Sequence, residues 1–265
     1  MKQVIRVLAG ASIAVFTLTA CGFGAAPAPT ATLLPGQTPV VVLPTAAPGD
    51  PCQNEYFPVR AGATWTYASS GSPSGAFSFR KMVGEVQPGQ FGVSTDVNGK
   101  NLRENWQCRP EGLVAQSMVL MDATSLLALN KFTEMQVSNV SGLNLPPAIT
   151  AGAAWSISYD VQGTEKDQTG AVISTMTGQV IISFTATGKE SVTVPAGNFD
   201  AMAISMGTVI NFVITQAGGT VNLNATSNYT IWLAPGVGWV KSSGTGTLGS
   251  SDYFETIELQ AFSIP

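Results

Sequence analysis

Between Val221 and Leu233 every second residue is apolar or small: Val221, Leu223, Ala225, Ser227, Tyr229, Ile231 and Leu233. The residues between them as far as Ile231, Asn222, Asn224, Thr226, Asn228 and Thr230, are neutral and polar. A period of two over thirteen residues is incompatible with a helix and describes a long antiparallel strand with one buried face. The same period recurs along the chain. Asn98-Gly99 separates Phe91–Val97 from Leu102–Cys108, and Asn-Gly is the strongest two-residue hairpin signal, because a type I′ turn needs positive φ at both positions. Further strands are expected over 179–187, 190–194 and 199–206, the last two joined through Pro195-Ala196-Gly197-Asn198, with 253–264 as a closing strand. Only Asp122–Asn130 offers a helix, with Asp122 as N-cap ahead of Leu126, Leu127 and Leu129. The expected class is mainly β: a curved antiparallel sheet, as a half-barrel or a two-sheet barrel-like body, with at most one or two short helices.

Composition agrees with that class and narrows the function. Charged residues are 11% of the 265, against 45% hydrophobic, far below the roughly 25% charged of an ordinary soluble domain. The outer faces must therefore be neutral and polar. With 12 basic and 16 acidic side chains and no basic cluster longer than Arg80-Lys81, a nucleic-acid partner is disfavoured. There is no histidine, which removes the Ser-His-Asp and Cys-His devices and the commonest general base.

The first 50 residues read as export and tethering. Lys2 and Arg6 precede an apolar run, Val7–Leu18, that is too short to span a bilayer comfortably and suits a signal-peptide core. It ends in Leu18-Thr19-Ala20-Cys21, which resembles the bacterial lipobox. That resemblance implies removal of residues 1–20 and lipidation of Cys21, with several acyl chains such as palmitate anchoring the new N-terminus at about 0.8 kcal/mol per buried methylene. Gly22–Asp50 then carries six prolines among Ala, Thr and Gly, with one charge. It reads as a semi-rigid, disordered stalk between the anchor and a single β-rich domain over 51–265. The expected location is extracytoplasmic, on the cell membrane or outer membrane. Without Lys2 and Arg6 the net charge becomes −6, so the domain is held off an anionic surface rather than drawn onto it.

Two cysteines remain after Cys21, Cys52 and Cys108. An even pair in an exported chain is expected to be oxidised. A redox or metal pair fits less well, because the two are far apart and lack neighbouring ligands.

Ala61-Gly62-Ala63-Thr64-Trp65-Thr66 is echoed by Ala151-Gly152-Ala153-Ala154-Trp155-Ser156, with Pro58 and Pro147 upstream. The echo fits a duplication into two similar halves, and equally the turn-then-strand chemistry of a Gly/Ala-rich chain.

Tyr56-Phe57-Pro58-Val59 with Gly62 and Trp65-Thr66-Tyr67, Val192-Thr193-Val194-Pro195-Ala196-Gly197-Asn198-Phe199, and Trp232-Leu233-Ala234-Pro235-Gly236-Val237-Gly238-Trp239-Val240-Lys241 resemble landmarks of bacterial lipoprotein domains of the TapB-like kind. Such domains are distantly similar to the half-barrels of lipoprotein carriers. The resemblance implies a curved antiparallel sheet with an apolar concave face, and no catalytic residues.

No cofactor is implied. Asp160, Glu165, Asp167, Glu255 and Glu258 qualify as catalytic carboxylates only by being acids. Glu165-Lys166-Asp167 reads as a solvated hairpin tip, and Asp252, Glu255 and Glu258 as the solvent edge of the last strand. Met118, Met121, Met202 and Met206 could line an apolar pocket but fit plain core filling better. Two functions follow. One is a non-catalytic lipoprotein that holds an apolar small molecule, lipid or hydrophobic segment in its β body. The other is a structural or adhesive envelope module that contacts proteins or glycans through polar strand faces. An empty apolar cavity would favour the first, a filled core the second.

Overall fold

The computed structural model describes residues 51–72, 75–122, 125, 132 and 134–265. The signal, lipobox and stalk readings therefore lie outside the described residues. So does the helix expected to 130, except at its start. There Asp122 Oδ1 accepts from the Ser125 N–H at 2.8 Å while Ser125 Oγ accepts from the Asp122 N–H at 3.1 Å, the reciprocal pattern of a capping box.

Twelve antiparallel strands make one sheet: β1 (Thr64–Ser70), β2 (Phe77–Gln87), β3 (Gln90–Val97), β4 (Lys100–Arg109), β5 (Gly112–Ala115), β6 (Glu134–Gly142), β7 (Ala154–Lys166), β8 (Val172–Val194), β9 (Gly197–Gln216), β10 (Gly219–Ala234), β11 (Gly238–Leu248) and β12 (Ser251–Ser263). The order is β5-β4-β3-β2-β1-β12-β11-β10-β9-β8-β7-β6. Every neighbour is thus a sequence neighbour except where β12 returns to pair with β1. The sheet curls into a nearly closed barrel, and its one gap lies between β5 and β6. Leu113 stitches one end of that gap: its N–H donates to the Leu145 carbonyl at 2.8 Å, and its carbonyl accepts from Asn144 at 3.0 Å. Near-closure confines unpaired strand edge to β5 and β6, which limits edge-to-edge pairing in a chain with few charges.

The expected class is what the chain forms. Asn98 and Gly99 sit at φ 52° and 76° between Val97 and Lys100, which pair, so the I′ hairpin is as read. On β10 the inward face is buried from Ala225 to Leu233, whereas Val221 at the rim is 51% exposed. The segments 179–187 and 190–194 are one strand, β8, with a register shift between Ala186 and Gly188. A bulge bends the strand without ending it, which is why the sequence looked interrupted. The closing strand is β12.

Inward side chains fill most of the lumen. Trp65, Tyr67, Phe79, Phe91, Trp106 and Phe212 are each at most 6% exposed, and burying a side chain of this size contributes about 1.5–3 kcal/mol. Cys52 and Cys108 form the expected disulfide, with Cα atoms 4.8 Å apart. It fastens the segment entering β1 to the end of β4.

Candidate functional site

An apolar pocket opens at the end of the barrel where Leu113 closes the gap. Its space is about 100 Å³. Walls come from the segment before β1 (Tyr56, Phe57), from β4 (Trp106), β7 (Trp155), β8 (Phe184) and β11 (Trp239). The gap side is supplied by Val119–Met121 and by Asn144 and Leu145. The disulfide lies two residues from Trp106 and four from Tyr56, so it holds two walls together.

The wall is rigid because its rings pack on one another and on Phe91 and Tyr67 behind them. Phe57 and Trp106 have centroids 5.5 Å apart, Phe91 stacks on Trp106 at 5.7 Å, and Trp155 stacks on Phe184 at 5.3 Å. Tyr67 stacks on Trp239 at 4.6 Å and donates its hydroxyl to the Trp239 carbonyl at 2.8 Å. Such ring pairs add about 0.5–1.5 kcal/mol beyond area burial. The Trp155 indole N–H donates to the Asn144 carbonyl at 3.0 Å and that of Trp106 to Glu104 Oε2 at 3.2 Å. Trp239 differs. Its indole N–H is buried and has no acceptor among the described residues. A buried donor without an acceptor costs about 1–3 kcal/mol and calls for a physical reason.

Beside the pocket the lumen is polar. Lys81, which also lines the pocket, donates to Glu104 Oε1 at 2.8 Å. Both side chains are buried, and Thr95 adds a hydrogen bond at 3.4 Å to the same oxygen. Farther along, Glu255 accepts from the Ser69 hydroxyl at 2.7 Å and the Tyr229 hydroxyl at 2.9 Å. Asp122 accepts from Ser227 at 3.2 Å. Burial, and after it the Glu255 and Asp122 carboxylates, hold the Tyr229 phenol far above its ordinary value. Burial first and Glu104 second do the same to Tyr67. These phenols stay neutral, as donors to carboxylates and carbonyls. Each buried acid is thus answered by donors, an arrangement that orders a lumen.

Glu255 corrects the sequence reading. It is fully buried, not on a solvent edge. Grouping it with Asp252 and Glu258 follows a spacing of three, whereas a strand alternates by two, and Glu255 shares its face with Tyr253, Ile257 and Leu259. Asp252 is exposed, and Glu258 is half-buried in an ion pair with Lys241 at 2.8 Å. Asp167 caps the β7–β8 tip, where its carboxylate accepts from the Thr169 hydroxyl at 2.6 Å; the tip reading is right. Asp160 accepts from Asn139 at 2.7 Å on the outside. Met118, Met202 and Met206 are core, and Met121 is in the pocket wall. From sequence, Lys81 entered only as half of the pair Arg80-Lys81, Trp239 only within a landmark segment, and Glu104 not at all. The available signal was a charge of each sign at inward positions, Lys81 in step with Phe79 and Val83, and Glu104 in step with Trp106 and Cys108. Among the described residues no group of three or more His, Cys, Asp or Glu side chains could hold a metal ion.

Residues 93–246, from within β3 to within β11, match the model of the DUF3108-like family. The chain belongs to the DUF3108-like family. That span includes Trp106, Trp155, Phe184 and Trp239 of the pocket but not Tyr56, Phe57 or β1. Two solved structures share the fold of this DUF3108-like chain. One is a candidate exported protein with a YmcC-like fold from Bacteroides fragilis, 16% identical, with a TM-score of 0.51 over 80% of this chain and 100% of that one. The other is a candidate lipoprotein from Parabacteroides distasonis, 15% identical, with a TM-score of 0.51 over 79% of this chain and 99% of that one. No curated protein matches the DUF3108-like chain.

Proposed function

We propose that this DUF3108-like protein is a non-catalytic, exported lipoprotein, anchored through Cys21, that holds a short apolar group bearing one hydrogen-bond acceptor in the aromatic pocket. The observation that carries the reading is the buried, unanswered indole N–H of Trp239 in a wall that is apolar apart from Lys81 and Asn144. A pocket built to bind places a few polar groups among apolar ones, and this donor is suited to a carbonyl or ester oxygen. Anchoring is supported by the lipobox-like Leu18-Thr19-Ala20-Cys21, and it agrees with what the Parabacteroides protein is described as. Of the three segments that resemble TapB-like landmarks, two supply pocket residues, Tyr56 and Phe57 from the first and Leu233 and Trp239 from the last.

Size sets the ligand. A cavity of 150 Å³ holds benzene, and whole small-molecule sites run to about 300–1,000 Å³. About 100 Å³ admits the end of an acyl chain or one side chain, so the occupant inserts a terminus and leaves its remainder outside. The filled lumen elsewhere favours the structural-module reading for the rest of the barrel.

The test uses the full chain with labelled indole nitrogens, whose five tryptophans give five resolvable indole signals. Addition of 2-pentanone should shift the signal that disappears in Trp239→Phe, and pentane, which lacks an acceptor, should bind at least about tenfold more weakly, the value of one hydrogen bond. Native mass spectrometry of the chain from its host should show an acyl-bearing mass lost on denaturation. A Trp239 signal indifferent to both probes, with no co-purifying mass, would refute the reading.

A further inference from the structure

The outside of the barrel carries a second feature, unconnected with the pocket. Strand register lines up two rows across β10, β11 and β12. Asn228 pairs with Thr245, which pairs with Phe254; Thr226 pairs with Thr247, which pairs with Asp252. All six point outward around a shallow depression of about 570 Å³. Phe254 is 57% exposed, the most exposed large hydrophobic side chain among the described residues. An aromatic ring left in water on the middle of a sheet, with the inward position beside it already filled by Tyr253, contributes nothing to the core.

Its surroundings define what could cover it. The Thr226 and Thr247 hydroxyls bond one another at 2.8 Å, which leaves each with further capacity. Asn228, Thr245 and Asp252 make no side-chain hydrogen bond to another described residue. Asp252 is the one charge of the six. The face beyond is uncharged too: no outward position carries a charge from Ile173 to Ser183 on β8, Gly207 to Thr215 on β9, or Thr220 to Thr230 on β10. A cationic partner would find one carboxylate, an anionic one would be repelled by it, and a bilayer would meet exposed amides and hydroxyls. An uncharged partner with many hydroxyls and a flat C–H face matches on each count.

We propose that this depression binds a neutral saccharide. One pyranose ring lays its C–H face on Phe254, as apolar surface does on an aromatic face. Its hydroxyls exchange hydrogen bonds with Asn228 and Thr245, and a vicinal pair donates to the Asp252 carboxylate. The two rows are offset by two residues, about 6.8 Å along the strands, so a second ring displaced along the strands meets Thr226 and Thr247. The site is a shallow surface one, and its affinity is millimolar.

The full chain, kept in a detergent without a sugar headgroup, is titrated with cellotetraose, maltotetraose, chitotetraose and mannotetraose. A galacturonate tetramer is the anionic control, and saturation-transfer NMR and calorimetry are the readouts. At least one neutral tetramer should bind saturably at millimolar concentration, and the galacturonate tetramer should not. Phe254→Ala should weaken binding about tenfold, Phe254→Tyr should stay within about threefold of the parent, and Trp239→Phe should leave it unchanged. The last comparison separates this site from the pocket, so either reading can fail alone. Absence of binding by all four neutral tetramers, or binding that ignores both Phe254→Ala and Asn228→Ala, would overturn the proposal. So would a chain that is dimeric as the parent and monomeric as Phe254→Ala, since the face would then be covered by a second copy.

Discussion

Two tryptophans follow the same corner in this molecule, and they end in different surroundings. At the start of β1, Gly62 has φ 85° and donates to the Val83 carbonyl, Ala63 donates back to Arg60, and Val83 donates to Ala63. At the start of β7, Gly152 has φ 85°, and the same three bonds run to Ala186, to Thr150 and from Ala186. The likeness extends to the following strand: Trp65 pairs with Lys81 and Trp155 with Phe184, each two residues before the residue that bonds the corner. Each indole also donates to a distant backbone carbonyl, Trp65 to Val237 at 2.7 Å and Trp155 to Asn144 at 3.0 Å. Yet Trp65 is 4% exposed in the core, while Trp155 is half-buried in the pocket wall. β1 has full partners on both sides, β2 and β12, whereas β7 lies next to β6, the strand at the gap. Local sequence dictates the corner. Distance from the gap decides whether its tryptophan becomes core or wall.

The sharpest way to break this comparison is to remove both rings. Trp65→Ala should cost about 4–5 kcal/mol, the upper part of the range for a buried aromatic truncated to alanine, because it leaves a closed cavity. Trp155→Ala should cost about 2 kcal/mol, since one side of the ring already faces open space and less packing is lost. Urea unfolding of the two variants measures both. Equal losses would mean that the pocket wall is packed as tightly as the core, and the contrast would vanish.

The disulfide acts on one corner only. Cys52 leads into β1, and its loop to Cys108 spans 56 residues, for which chain-closure entropy gives about 4 kcal/mol. Cys52→Ala with Cys108→Ala should therefore approach the cost of losing Trp65. Its effect on local opening should be uneven: amide exchange should speed up through β1 to β5 more than through β7 to β10. Uniform acceleration would show that the barrel opens only as a whole.

How far each corner could be read from sequence follows from the same physics. The alternation of β10, the Asn98-Gly99 turn, the disulfide and the closing strand depend on near neighbours or on a forced pairing of two cysteines, and all were legible. The two corners were legible as an echo, but the gap that separates their fates was not. It depends on β5 being only four residues long and on Leu113 meeting Leu145, a contact between segments about thirty residues apart. The pocket was invisible for that reason, since its walls come from at least six elements. Glu255 could have been placed by parity alone. Lys81 and Glu104 show the limit of parity: it puts both charges inside, but only the β2–β3–β4 register brings them to 2.8 Å.

The smallest expected effect is the finest probe of the comparison. Gly62→Ala and Gly152→Ala leave every tryptophan contact in place and change only the backbone preference at the corner. Both glycines hold φ 85°, in the region that a Cβ penalises. An added Cβ would meet Pro265 at 3.7 Å, an ordinary contact, at Gly62, and nothing within 4 Å at Gly152. Space is therefore not at issue, and each variant should lose about 1–2 kcal/mol, the cost of a non-glycine residue in that conformation. The two losses should agree within about 0.5 kcal/mol, although the paired tryptophan variants differ by far more. Agreement would locate the difference between Trp65 and Trp155 in their tertiary surroundings. A clear inequality would place part of it in the corners themselves, with one of the two glycines held against its preference by the strands around it.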